Sequence, residues 1–120
     1  MYNISKLLEM WGAWIVNNPN ILILFIDINK EIIPERIRKR EVCSIHQLLI
    51  INSLISKLMK KNKNDYNLLI DYYVNGKTFI QLSKLHNCSD TYIGKKLKKI
   101  EGVIEGMLIF LDIQPDFYNI

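Results

Sequence analysis

The side chains best suited to chemistry lie between residues 84 and 99 of this 120-residue chain. Residues 95–99 read Lys-Lys-Leu-Lys-Lys, and closely spaced cations of this kind neutralise phosphates. Residues 89–92 read Ser-Asp-Thr-Tyr, whose hydroxyl groups can hydrogen-bond to base edges or to phosphate oxygens and whose carboxylate can accept from a base amino group. The combination predicts contact with a nucleic acid.

Each of these residues has a predicted role if the segment is a DNA-binding helix-turn-helix. In that motif the second helix enters the major groove, its N-terminal residues meet base edges, and flanking residues meet phosphates. The residues expected to read bases are Asp90, Thr91, Tyr92, Lys95 and Lys96. Those expected near the phosphate backbone are Lys84, Ser89, Lys98 and Lys99. The competing interpretation is a helical hairpin with a solvated basic face.

The sequence offers little support for a metal site, a catalytic site or a cofactor site. Cys43 and His46 could begin a zinc site, but the remaining candidates, His86 and Cys88, lack the paired spacing of zinc ligands. No serine lies in a nucleophile pattern with His and Asp, and no glycine-rich loop precedes a helix. We therefore expect no metal, no cofactor and no enzymatic activity.

Charge is distributed unevenly along the chain. Residues 1–56 hold 6 basic and 5 acidic side chains, residues 57–99 hold 10 and 3, and residues 100–120 hold 0 and 4. The net charge of these segments is therefore +1, +7 and −4. Lysine abundance also follows from the Ile-, Asn- and Lys-rich composition, so the position of the charge carries more weight than its total. A concentrated positive block favours phosphates or an acidic protein surface.

Helices are predicted to position these residues. Apolar residues at helical spacing predict helices over 3–16, from 44 to about 61, from 65 to about 75, and from 89 to about 111. Ser44 and Gln47 have the form of a capping box, and Asp65 is predicted to cap the next helix, which Gly76 ends. Pro19 ends the first helix, while the Ile-rich run at 21–28 fits neither period. Residues 35–41 read as a surface loop or short helix.

The helix-turn-helix is predicted over about residues 78–99. Thr78 and Gln81 form a second capping box, and Asn87 tolerates the left-handed conformation that the turn needs. Ser83 is the small residue expected where the two helices approach closely. The apolar residues expected to face inward are Ile80, Leu82, Leu85, Cys88, Ile93 and Leu97.

The predicted last helix is long. Its apolar seam is Ile93, Leu97, Ile100, Ile104, Met107 and Leu111. Gly102 and Gly106 are four residues apart, which permits close approach of another helix, either within the fold or in self-association. The predicted fold class is therefore all-α: a small helical domain with a helix-turn-helix and a long C-terminal helix.

Size and composition indicate one domain over residues 1–120. The longest apolar run, 21–26, is far shorter than the roughly 20 residues of a membrane span. The N-terminus has no secretory pattern, and two cysteines cannot build a disulfide framework. We expect a cytoplasmic protein without a membrane partner.

Three blocks carry a resemblance to a known family. They are Leu-Glu-Met-Trp-Gly-Ala-Trp at 8–14, Leu-Leu-Ile-Asp-Tyr-Tyr-Val-Asn-Gly at 68–76 and Ile-Glu-Gly-Val-Ile-Glu-Gly-Met-Leu at 100–108. In this order around a helix-turn-helix, they resemble the phage antitermination protein Q family, in the branch that lacks a zinc finger. The likeness covers about residues 5–111, with a gap over 19–42.

This resemblance implies a function. Such proteins bind duplex DNA near a phage late promoter, load onto bacterial RNA polymerase paused there, and make it read through terminators; nascent RNA is a further candidate partner. The alternatives are a helix-turn-helix repressor or activator without antitermination activity, and a module whose basic face binds an acidic protein.

The polymerase-binding surface is expected elsewhere than the helix-turn-helix. It is predicted in the Ile-rich segment 21–33, with Trp14, Glu101 and Glu105 as the alternative. Trp11 and Trp14 share a helix face, which favours packing in the core against the 65–75 helix over a role as a surface anchor.

Overall fold

Helices make up all the regular structure in the residues that the computed structural model describes, 3–18 and 33–111. In chain order they are α1 (Ile4–Asn17), α2 (Glu35–Arg38), α3 (Ile45–Lys61), α4 (Lys63–Tyr73), α5 (Phe79–His86) and α6 (Asp90–Phe110). The predicted all-α class with a long last helix is confirmed. The Ile-rich run at 21–28 lies outside the described residues.

Local capping signals set where most of these helices begin. Ser44 and Thr78 each accept a hydrogen bond from the backbone three residues ahead, and Gln47 and Gln81 reciprocate, so both predicted capping boxes are present. The predicted cap at Asp65 is wrong. Asn62 caps α4 instead, because its side chain accepts from the Asp65 amide (3.2 Å) while Asp65 lies in the first helical turn.

Helix α1 lies at the centre and packs against α2, α3, α4 and α6. Both tryptophans are buried, as predicted, and the Trp11 indole donates to the Asn52 Oδ1 of α3 at 2.7 Å. Gly12 sits against the backbone of α4, where a Cβ atom would lie 2.9 Å from the carbonyl carbon of Tyr73. Helices α1 and α4 can therefore pack this closely only because residue 12 is a glycine and has no side chain.

The buried seam of α6 differs from the prediction at its C-terminal end. It consists of Ile93, Leu97, Ile100, Ile104 and Leu108. Met107 is only half-buried and Leu111 is 48% exposed. A straight α-helix has 3.6 residues per turn, so a seam predicted with a strict 3.5-residue repeat drifts off the buried face after several turns. The prediction for Leu111 is wrong for this reason, whereas Met107 lies at the edge of the buried face and packs partly against the core.

Residues 33–40 support the turn that precedes α5. Ile37 is fully buried although α2 spans only four residues. Arg36 donates through Nη2 to the Gly76 carbonyl at 2.6 Å. Gly76, which follows α4, has a φ of +72°, a left-handed conformation that glycine adopts without steric cost. It packs against Pro34. The segment predicted as a surface loop or short helix thus contributes to the core.

We expect Asn87→Val to destabilise the protein. Asn87 has φ 55° and ψ 50°, and this left-handed conformation costs a β-branched residue about 1–2 kcal/mol. Urea unfolding should show that loss for Asn87→Val, whereas Asn87→Gly should stay near wild type. Equal stability of the two variants would contradict a backbone requirement at this position.

Candidate nucleic-acid interface

Helices α5 and α6 are joined by the short turn at residues 87–89. The Cys88 amide donates to the Ser83 carbonyl at 2.9 Å, and Ser89 Oγ accepts from the Tyr92 amide at 3.0 Å, which caps α6. Leu82 of α5 is fully buried, together with Ile93 and Leu97 of α6. The turn and these three buried side chains, one on α5 and two on α6, therefore fix the angle between the two helices.

Two of the predicted inward residues of α5 face solvent. Ile80 is 60% exposed and Leu85 is 61% exposed, so Leu82 is the buried residue of this helix. The reason is that α5 packs chiefly against a single neighbour, α6. A small residue that was not predicted also lies at this contact: Gly94 faces the Phe79 ring, where a Cβ atom would lie 3.3 Å from Cε2.

The role predicted for Ser83 at the approach of the two helices stays a prediction. Ser83 is half-buried, and its hydroxyl donates to the Ile80 carbonyl of its own helix at 2.8 Å. Its carbonyl oxygen accepts from the Cys88 amide, so Ser83 also contributes to the turn.

Most of the predicted DNA-contacting residues are exposed. They are Lys84, Ser89, Asp90, Thr91, Tyr92, Lys95, Lys98 and Lys99. On α6, position 95 lies four residues from 91 and three or four from 98 and 99, so these positions cluster on the face opposite the buried seam. Among the residues that the structure describes, none carries a carboxylate paired with these lysines. The outer face of α6 thus presents several unneutralised cations.

Lys96 lies in a different environment. It is half-buried, and its Nζ atom lies 3.5 Å from Oδ1 of Asp65 on α4. The other carboxylate oxygen of Asp65 accepts from the Asn62 side chain at 3.0 Å. The charge of Lys96 is therefore directed towards α4, away from the centre of the exposed face.

A cavity of about 420 Å³ adjoins one flank of this face. Tyr72 and Phe79 form part of its wall, with ring centroids 5.3 Å apart. Thr91, Lys95 and Lys98 line it on α6. These three predicted contact residues consequently face a recess as well as open solvent.

Glu101 ties this region to the rest of the fold. Its carboxylate accepts from the Ser5 hydroxyl and from the Tyr73 hydroxyl, both at 2.7 Å. Burial, together with the neighbouring Glu101, raises the pKa of Tyr73 well above that of a free tyrosine. Tyr73 therefore remains a hydrogen-bond donor throughout the neutral range.

A second group of cations was missing from the sequence-based assignment of site residues. Lys60, Lys61 and Lys63 are exposed where α3 meets α4. The signal that could have found them is the +7 block, which includes them. Their position relative to α6 follows from the Asp65–Lys96 contact, which sequence spacing does not reveal.

Candidate metal ligands do not cluster within residues 3–18 and 33–111, where no three His, Cys, Asp or Glu side chains are grouped to hold an ion. Both cysteines are free thiols. Cys43 is buried, which raises its pKa to about 11. No helix in these ranges is long and apolar enough to cross a membrane.

The residues proposed as an alternative polymerase surface are largely occupied in the fold. Trp14 is only 8% exposed and Glu101 holds two hydrogen bonds, so these two are wrong as a free surface, while Glu105 is half-buried. Gly102 and Gly106 are exposed, with no atom within 4 Å of a Cβ built on either. Their predicted close approach within the fold is therefore wrong for the described part of the chain, and self-association through them stays a prediction.

Comparison with known proteins identifies related sequences. The family model described as phage antitermination protein Q matches residues 1–116. The chain is 39% identical to the antitermination protein Q of Escherichia phage 933W over 122 residues, covering 95% of this chain and 81% of that protein. It is 42% identical to the prophage antitermination protein Q homolog QuuD of Escherichia coli K12, covering 95% and 91%. No solved structure matches.

Proposed function

We propose that this chain, which belongs to the phage antitermination protein Q family, acts as a transcription antitermination factor that binds duplex DNA through a helix-turn-helix over about residues 78–99. The family consists of transcription regulators, as the names of its members state. In this proposal residues 1–120 form one domain, which binds DNA near a promoter, loads onto paused RNA polymerase in the cytoplasm of the bacterial host, and makes it ignore terminators.

The observation that carries the DNA-binding part is the outer face of α6. Lys95, Lys98 and Lys99 are exposed on a helix whose opposite side is buried, and no described carboxylate neutralises them. Cations held on the free face of a rigid helix can follow a phosphate backbone while the helix occupies the major groove. Lys84, at the end of α5, would contribute from the preceding helix.

The N-terminal turn of α6 supplies the groups proposed to read bases. Asp90, Thr91 and Tyr92 are exposed there, and Tyr92 has 53% of its surface free. A carboxylate can accept from the amino group of cytosine, and a threonine can bond to a base or touch the thymine methyl group. The Ser89 hydroxyl oxygen caps α6 by accepting a hydrogen bond from the Tyr92 amide, so its proton is still available to donate to a phosphate oxygen.

Exposed apolar side chains support a protein partner in addition to DNA. Ile80 and Leu85 lie on α5, and Ile109 and Phe110 lie at the end of α6, where Phe110 is 90% exposed. Large exposed apolar side chains can mark interaction sites, and here two such pairs lie on different parts of the surface, one on α5 and one at the end of α6. These positions extend the proposed polymerase contact beyond the Ile-rich segment 21–33.

Duplex binding should weaken when the charge of the outer face is removed. We expect Lys98→Gln combined with Lys99→Gln, the two exposed α6 lysines expected near the phosphate backbone, to lower affinity for a duplex selected from a random pool by the wild-type protein. The slope of log K against log salt should fall by roughly two units, because each lost phosphate contact removes about 0.9. Fluorescence anisotropy over a salt series measures both quantities. Wild-type affinity and slope in the variant would remove the outer face of α6 from the DNA interface.

Antitermination itself needs a separate measurement. Transcription with purified polymerase across a terminator, with and without the protein, distinguishes a read-through factor from a repressor or activator that uses the same helix-turn-helix. We expect longer transcripts only when the template carries the selected duplex sequence upstream. Altered initiation with unchanged termination would favour the repressor or activator.

A further inference from the structure

The junction of α3 and α4 concentrates positive charge at the surface. Three of the four residues at 60–63 are lysines, all exposed, and Asn62 between them caps α4. We call Lys60, Lys61 and Lys63 the corner lysines. None of them has an ion pair within the described ranges, and the nearest acidic residue in sequence, Asp65, is already paired with Lys96. The corner therefore carries a net charge of +3.

The corner is held beside α6. The 3.5 Å contact between Asp65 and Lys96 joins the first turn of α4 to the middle of the long helix, and both α3 and α4 pack against α6. Lys99 lies one turn beyond Lys96 on the same side of α6. The cations of the outer face of α6, unpaired in the described part of the chain, and the corner lysines therefore lie on either side of the Lys96–Asp65 ion pair.

The two flanks of α6 differ in charge. On one flank, the cavity holds Glu9 and Glu101 beside Lys95 and Lys98, so its acidic and basic groups balance. The other flank, which meets the first turn of α4, presents the corner lysines without a paired carboxylate among the described residues. A helix lying in the major groove has a sugar-phosphate backbone on either side, and most contacts to that backbone serve to position the protein. The asymmetry favours phosphate contact on the α4 flank.

We propose that the corner lysines form a second phosphate-binding surface, which holds the DNA backbone beside the segment read by α6. This inference rests on the proposed DNA-binding function and adds a contact that sequence reasoning did not assign. The surface fixes the orientation of the duplex relative to α3 and α4 and is indifferent to base sequence.

The test compares two double variants that remove the same charge. The first, Lys61→Gln with Lys63→Gln, alters the corner; the second, Lys6→Gln with Lys39→Gln, alters exposed lysines of α1 and of the residue after α2. Glutamine keeps helix propensity close to that of lysine, so both variants should melt near the wild-type temperature. Affinity is measured over a salt series for the wild-type-selected duplex and for a scrambled duplex.

We expect the corner variant to lose roughly two units of salt slope and to bind both duplexes more weakly by the same factor, which leaves sequence preference unchanged. The control variant should keep the wild-type slope. Equal slopes in the two variants would overturn the proposal, as would intact duplex binding with lost read-through, which would assign the corner to a protein partner. If the wild-type protein selects no duplex at all, the proposed DNA-binding function fails, and the corner surface with it.

Discussion

Replacing Gly12 with alanine is expected to destabilise the protein by about 3 kcal/mol or more, because the added methyl group would overlap the backbone of another helix. A Cβ atom at this position would clash with the Tyr73 carbonyl oxygen and would lie 2.9 Å from its carbonyl carbon. Backbone atoms cannot rotate away as a side chain can, so α1 and α4 would have to separate. Thermal and urea unfolding measure the loss.

Gly102→Ala is the matched control. Gly102 is also helical, but no atom lies within 4 Å of its built Cβ. Alanine in an exposed helix is preferred over glycine by about 0.5–1 kcal/mol, so this variant should be slightly more stable than wild type. A similar change in both variants would contradict the close packing at Gly12.

Leu82→Ala is expected to be the second strongly destabilising substitution, with a loss of about 2–5 kcal/mol. Leu82 is fully buried and is the buried residue of α5, so its truncation leaves a cavity where α5 meets α6. Duplex binding should weaken as well, since the angle between the two helices depends on this contact.

Leu85→Ala removes the same atoms from the same helix. Because Leu85 is 61% exposed, we expect its unfolding free energy to stay within about 0.5 kcal/mol of wild type. Comparing the two variants by urea unfolding tests the orientation of α5 directly. A larger loss from Leu85→Ala would show that α5 is rotated relative to the structure described above.

Sequence reasoning succeeded where the cause of a structural feature is local. A capping box needs only a serine or threonine and a glutamine three residues apart, so Ser44 and Thr78 were identified from the sequence and are present. The left-handed turn at Asn87 is equally local. The family relationship was likewise carried by short blocks, and it is now shown by relatives that cover most of the chain.

Sequence reasoning failed where burial depends on which elements are neighbours. Helix α5 is short, and with few apolar residues the pattern could not show that Leu82 is buried while Ile80 and Leu85 stay exposed. The pairing of Lys96 with Asp65 spans 31 positions and has no signature along the chain. Such contacts decide which cations remain available for phosphate.

The hydrogen bonds of Glu101 couple the proposed reading helix to the orientation of α1. Any rotation or sliding of α6 would break the bonds that Glu101 accepts from Ser5 and Tyr73, one from each of two other helices. Helix α6 therefore cannot be re-aimed in the groove unless α1 and α4 move with it. A partner that binds α1 preferentially in one such arrangement would change the affinity for DNA, and DNA would change the affinity for that partner by the same factor.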